Sequence, residues 1–311
     1  MGPVPKSKRL LVTHNGSFHT DDIFACAALA IMLERAGEQF EIIRTRDEVI
    51  IKTGDYVFDV GGVYDETANR FDHHQVGGAG KGESGIEYSS FGLVWHKFGA
   101  DLCGSKKAAS TVDNKLVTPI DAHDNGFDLT IPSSFNKNKI YPYTIQNLFF
   151  SMYPTWQETQ EMDFNYDEAF MKAVLIAKDV LSREIIQAQD LLLAEELVST
   201  IYKNTIDKRI IVLDKNYPYE YILNNFPEPL FVVYPRVADN SWGAKAITED
   251  YRIFKNRKDF PVNWGGLRNE ELQTITGVPD AIFCHRALFM IVAKSREGAI
   301  SLAQKALEPS N

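Results

Sequence analysis

The chain has 311 residues, 44% of them apolar and 24% charged, with a formal net charge of −9. That length allows one large domain or two ordinary ones. No apolar run approaches the roughly 20 residues that span a bilayer, so a membrane-spanning helix is not expected. The acidity argues against a sequence-independent nucleic-acid binder, which carries a basic footprint.

The charge is uneven. From residue 205 onward there are 14 Lys+Arg and 13 Asp+Glu, against 19 and 29 before it. The first part is therefore −10, an excess of carboxylate that suits divalent cations. The opening "MGPVPKSKRL" has a short basic piece but no apolar h-region. It reads as neither a secretory signal nor a transit peptide, and a longer leader upstream is left open. Cys26, Cys103 and Cys284 are odd in number, widely spaced and set in apolar surroundings, with no CxxC pair. They are expected to be buried thiols in a reducing compartment rather than zinc ligands.

In chain order, "RLLVT" (Arg9 to Thr13) reads as a buried strand. "DDIFACAALAIMLERAG" reads as a helix, with Asp21 and Asp22 in its first turn and Gly37 as its stop. "FEIIRT" and "DYVFDVGG" read as strands, so strand, helix, strand implies a βαβ unit and a parallel sheet. "SSFGLVWHKFG" and "KKAASTVDNKLVTPIDAHDNG" read as helices, with His96 structural, and Leu129 to Thr144 as an exposed excursion. Tyr166 to about Lys203 has no Gly or Pro and repeats apolar residues at helical spacing, so it is one long helix or two abutting ones. "RIIVLD", "PLFVVYP", "GAKAIT", "AIFCH" and "LFMIVA" are short strands, and Arg296 to Leu307 is a closing helix. The predicted fold is α/β. A parallel-sheet domain over 1–165 is followed by a connecting helix over 166–204 and a smaller α+β domain over 205–311.

The unusual polar residues gather at one edge of this layout. His14 follows the first strand, and His19, Asp21 and Asp22 open the first helix. Asp59 ends a later strand before Gly61-Gly62. Asp72, His73 and His74 follow the short element "NRF". Asp121 and Asp124 end an apolar run and share a helix face. In an open parallel sheet, ligands collect outside the carboxyl ends of the strands. Imidazoles mixed with carboxylates suit manganese, zinc, iron or magnesium. One shared carboxylate would allow a two-metal centre, with Asp72 a candidate outer acceptor for an imidazole N–H.

"DHH" after a strand-ending aspartate resembles the DHH phosphoesterase superfamily, although His19-Thr20-Asp21 stands where that superfamily usually has D-x-D. "THNGSFHTDDIFACAAL", "FDHHQ", "FGLVWHKFG", "IDAHDNG", "NWGGLRNEEL" and "REGAISLAQKAL" together resemble a narrower group, the melanocyte-proliferating-gene exonuclease family, from near residue 10 to near residue 307. The resemblance implies a metal-dependent 3′–5′ RNA exonuclease of nucleolus and mitochondria, with the cytoplasm left open. By resemblance, His14, His19, Asp21, Asp59, His73 and one of Asp121 or Asp124 would hold two divalent ions, manganese first and magnesium second. His74, backed by Asp72, would contact the scissile phosphate.

The second part is expected to grip single-stranded RNA or a short oligonucleotide in a cleft between domains. Its candidates are Trp242, Lys245, Arg268, His285, Arg286 and Arg296, with Trp242 and Trp264 able to stack on bases. Two rivals stand beside this reading: a hydrolase of short oligonucleotides or cyclic dinucleotides, and a non-catalytic binder. The oligomeric state is open, a homodimer included.

Overall fold

In the computed structural model, which describes residues 8–127, 129, 141–161, 164–250 and 253–308, the opening apolar run is β1 (Arg9–Thr13). It leads through α1 (Thr20–Arg35) to β2 (Phe40–Arg44). A short α2 (Glu48–Thr53) connects to β3 (Tyr56–Phe58), and a small hairpin adds β4 (Tyr64–Asp65) and β5 (Arg70–Phe71). The sheet order is β2-β1-β3-β5-β4. β1 pairs in parallel with β2 and β3, β3 with β5, and only β4 runs antiparallel. The predicted parallel sheet is therefore present, and the carboxyl ends of β1, β3 and β5 share one edge.

α1 is buried along nearly its whole length, which explains why its sequence is apolar all round rather than amphipathic. Phe24 on α1 packs against Phe91 of α3 (Ser90–Cys103) and Phe149 of α6 (Ile145–Phe150). Between those two helices the single predicted helix is broken into α4 (Lys106–Val112), a π turn (Asp113–Val117) and α5 (Thr118–Asp124). Pro119, at the start of α5, has no N–H to continue the ladder and its ring crowds the preceding turn. Most of the predicted excursion from Leu129 to Thr144 lies outside the described residues. After α7 (Glu158–Glu161), α8 (Tyr166–Asn204) is one uninterrupted helix.

The chain divides into two units, Met1–Gln189 and Asp190–Asn311, with the boundary inside α8. In the second unit β6 (Ile210–Val212), α9 (Glu220–Asn224), β7 (Phe231–Arg236) and β8 (Ser241–Ala246) precede α10 (Asn269–Thr276), β9 (Ala281–Cys284), β10 (Met290–Ala293) and α11 (Arg296–Leu307). The sheet order is β6-β7-β8-β10-β9, parallel only between β6 and β7. Trp264 is buried in this unit's core beside Phe260.

Candidate metal centre

β1 delivers His14 one residue past its end. His14 Nε2 lies 3.0 Å from Asp59 Oδ2 and 3.2 Å from Asp22 Oδ2. His19 is the N-cap of α1, and its backbone N–H donates to Asp22 Oδ1 at 2.9 Å. That cap turns Asp21 and Asp22 into the interior, where both are buried. Arg44 braces the loop: its Nη2 donates to the Gly16 carbonyl at 2.8 Å, while its guanidinium lies 4.5 Å from the Phe170 ring centroid.

β3 stops at Phe58 because Asp59 adopts the left-handed region, φ 55°. Asp and Asn tolerate that region better than other non-glycine residues. The chain then turns through Gly61 and Gly62, both at positive φ, and β5 returns it to the same edge. There His73 Nε2 lies 3.3 Å from Asp59 Oδ1, 3.4 Å from Asp124 Oδ2 and 3.9 Å from Asp21 Oδ2. His74 Nδ1 lies 3.6 Å from Asp59 Oδ1 and 2.8 Å from Asp72 Oδ1. Asp59 thus turns one oxygen toward His14 and the other toward His73 and His74.

These groups are arranged around shared points rather than paired off. Asp21 Oδ1, Asp22 Oδ2 and Asp59 Oδ1 are buried without an acceptable hydrogen bond, although the last two lie near imidazole nitrogens. Buried unpaired carboxylate oxygens are costly. Two ligands each about 2.1 Å from one cation at right angles would lie about 3.0 Å apart; His14 and Asp59 are 3.0 Å apart and the contacts of His73 with Asp59 and Asp124 are 3.3 and 3.4 Å. Three sets of ligand atoms fall within 4.8 Å of one another: His14, His19 and Asp59; Asp59, His73 and His74; and Asp21, His73 and Asp124. Mixed imidazole and carboxylate donors fit a divalent transition ion.

The structure separates the two aspartates that the sequence left together. Asp124 joins His73. Asp121, put forward with it as a ligand, falls outside these sets: its Oδ1 accepts from the Ser89 hydroxyl at 2.6 Å and the Ser89 N–H at 3.1 Å. Asp22 was placed at this edge by sequence but given no role; it touches His14 directly. His123, Asn125 and Phe150 were not singled out at all. They line the same cavity, of about 490 Å³, as His19, Asp59, His73, His74 and Asp124, and the His123 and Phe150 rings are 6.2 Å apart.

In the protein alone, protons collect on the imidazoles. Burial opposes charging of His14, but the Asp22 and Asp59 carboxylates beside it prevail and push it up to about 10. His73 is likewise opposed by burial and raised to about 9, with Asp59 the leading carboxylate. Burial pushes Asp59 up, but His14 and His73 outweigh it and hold the carboxyl below the usual range. Asp22 is pushed up to about 7 by burial despite His14, so both partners of that contact rise, and each shift claims the proton. The proton belongs on His14, which has Asp59 as a second acceptor. Burial and the Asp21 charge raise Asp124 to about 8.

These shifts fix the sign of a pH dependence. His14 and His73 stabilise the fold fully below about 6.5, the unfolded value, and that contribution is lost as pH rises through about 9 to 10. Asp124 acts in the same direction, because the folded state keeps a proton that the unfolded chain releases near pH 4. The Asp59 contribution is constant across neutral pH. With chelator present, the thermal midpoint should therefore fall from pH 6.5 to 10. Divalent ions should oppose the fall and release protons on binding. A midpoint in chelator that stays flat over that range would contradict the assignment.

The residues proposed for substrate lie in the second unit. The Arg268 guanidinium sits 4.4 Å from the Phe283 ring centroid, and Arg296 6.0 Å from that of Trp242. His285 lies against Phe289, and its Nδ1 accepts from the Ala287 N–H. Arg286 is exposed. The Lys245 amine pairs with Glu220 at 3.0 Å. Cys26, Cys103 and Cys284 are free and buried, as the sequence predicts.

Comparison with known proteins then places the chain. The family described as MYG1_exonuc, uncharacterised protein family (UPF0160), matches residues 10–307. The "MYG1 protein" of Chlamydia trachomatis is 32% identical over 297 residues, covering 93% of each chain. The "MYG1 exonuclease" of Homo sapiens is 29% identical over 330 residues, covering 95% of this chain and 85% of the human one. Among solved structures, the exonuclease RecJ bound to manganese aligns over 78% of each chain at 12% identity, with a TM-score of 0.28.

Proposed function

The chain belongs to the MYG1_exonuc family (UPF0160), and from that premise we propose that it is a divalent-metal-dependent nuclease, and more narrowly a 3′–5′ exoribonuclease acting on single-stranded RNA. One observation carries the reading: the buried Asp59 carboxylate faces separate imidazole groups with its two oxygens. The name of the human relative supports exonuclease activity; RNA and the 3′ end follow from the motif resemblance alone. The residues to hold metal are His14, His19, Asp21, Asp59, His73 and Asp124, with Asp22 beside them. Two manganese ions are the preferred occupants and magnesium the second choice.

Such ions would supply Lewis acidity toward a phosphate oxygen and a nucleophile at neutral pH. The protein's own groups do the rest. With His74 Nδ1 donating to Asp72, Nε2 is left for substrate. Asp72 raises the His74 pKa, so a larger share of the ring carries a proton at Nε2 to donate to phosphate. The side chain is 62% exposed, so it can reach a ligand. Phe150 and His123 offer ring faces to a terminal base. In the second unit, Trp242, Arg268, His285, Arg286 and Arg296 would engage the strand; Lys245 would first have to leave Glu220.

Exhaustive chelation should abolish phosphodiesterase activity, and manganese should restore it. Undiminished hydrolysis in chelator would overturn the proposal. The net charge of −9 favours one rival, a hydrolase of short oligonucleotides or cyclic dinucleotides. A kcat/KM that does not rise with RNA length would support that rival. Among the described residues, no helix is long and apolar enough to cross a membrane; mitochondrial or nucleolar residence is proposed on the family resemblance.

A further inference from the structure

A second cavity, of about 560 Å³, opens in the first unit beside α2. Its floor is apolar, made by Ile51, Val57 and Val60, and three cations surround it: Arg46, Lys52 and Arg70. Glu48 is the one carboxylate among the lining residues. Val57 and Val60 belong to a small buried cluster with Val12, so the floor is built into the sheet.

Two of the three cations are not used by the fold. Among the described residues, the Arg46 and Lys52 side chains have no ion-pair or hydrogen-bond partner, and both residues are exposed. Arg70 gives Nη1 to the carbonyls of its neighbours Ala68 and Asn69. Residues 1–204 carry a net charge of −10, so an excess of cations around an apolar floor is a local reversal. A ligand with a phosphate for the cations and a flat apolar face for the floor satisfies both features.

We propose that this cavity binds a nucleotide unit, with its phosphate among Arg46, Lys52 and Arg70 and its base or sugar on Ile51, Val57 and Val60. The place is informative. Gly61 lines the cavity and is two residues from Asp59, so their Cα atoms lie within about 8 Å. The next amide, Gly62 N–H, donates to Asp72 Oδ2 at 2.5 Å, and Asp72 Oδ1 holds His74. A nucleotide in this cavity therefore touches the turn that joins Asp59 to the support of His74.

The nucleotide has two sources, a free mononucleotide or a unit of an RNA strand whose end lies in the metal cavity. The second source rests on the exonuclease reading; the first does not. The test uses the full chain in chelator, with adenosine 5′-monophosphate as the probe and calorimetry as the readout. Binding should be measurable without metal. Arg46→Glu with Lys52→Glu should weaken it at least tenfold, and His73→Ala should leave it within about twofold. If the glutamate pair does not fold, Arg46→Gln with Lys52→Gln takes its place and should also weaken binding.

The second arm measures KM for RNA of increasing length. A strand unit in the cavity predicts that the double variant raises KM only for strands beyond a threshold length. Free-nucleotide binding predicts the same KM ratio at all lengths, with the loss confined to the calorimetry. If neither metal-independent binding nor a length-dependent KM depends on Arg46 and Lys52, the proposal is wrong. It is equally wrong if His73→Ala removes the binding, because the probe then occupies the metal cavity. An inactive protein that still binds the probe through Arg46 and Lys52 would sink the exonuclease reading and leave this one standing.

Discussion

Asp59→Asn is expected to cost at least one bound metal ion and nearly all turnover while the fold survives. Asparagine has the same shape and, like aspartate, accepts the left-handed backbone that φ 55° imposes at this position. Alanine would add strain and blur the result. The amide, however, carries no charge and presents only one oxygen. It cannot face His14 with one acceptor and His73 and His74 with the other, as Asp59 does. Substitution of residues that merely orient a ligand costs about 10- to 100-fold in metal affinity or activity, so loss of the shared ligand should exceed about 10²-fold. Elemental analysis of the purified variant, beside single-turnover rates in saturating manganese, reads both effects. Two ions per chain in Asp59→Asn would make the bridging role wrong. The variant also removes the acceptor that raises His14 and His73, so its thermal midpoint in chelator should depend less on pH.

The large periodic elements could be read from the sequence, because their signals are local. α8 lacks Gly and Pro and repeats its apolar residues, and α11 matches the predicted bounds from Arg296 to Leu307. The rule that strand ends collect ligands placed His14, His19, Asp21, Asp59 and His73 at one edge without coordinates. What the sequence hid was non-local or small. β4 and β5 have two residues each, too short for an alternating pattern. β3 ends at Phe58, four residues before the predicted strand does, since the backbone at Asp59 changes hand and no sequence period reports that. Asp121 and Asp124 differ only in what α5 meets: Ser89 for the first and His73 for the second. Asp22 looked like an ordinary first-turn carboxylate, and only the depth of α1 turns its Oδ2 toward His14. Phe150 comes from a helix distant in sequence, and nothing near it marks it as lining the cavity.

The adjacent histidines should fail in different ways. His73 is nine-tenths hidden, 11% exposed at its side chain, with its Nε2 among Asp59, Asp124 and Asp21. His74 is 62% exposed and is turned toward Asp72 through Nδ1. The two rings lie 4.3 Å apart and differ in what their nitrogens meet: His73 turns Nε2 to three carboxylates, whereas His74 meets Asp72 through Nδ1. His73→Ala removes a donor from two of the three ligand sets, so metal content should drop along with the rate. His74→Ala removes one atom from one set and the free Nε2. Occupancy should stay near that of the parent while the rate falls by about 10²–10³, the loss that follows removal of one donor to charge developing in a transition state. Asp72→Asn separates orientation from donation. The amide keeps the shape near Gly62 but no longer raises the His74 pKa, so the acidic form of His74 should be lost at a lower pH. The pH–rate profile of Asp72→Asn should therefore lose activity at lower pH on its alkaline side, with metal content unchanged. Equal loss of metal in His73→Ala and His74→Ala, or a fully active His74→Ala, would show that the doublet acts as one ligand group and that another residue serves the phosphate.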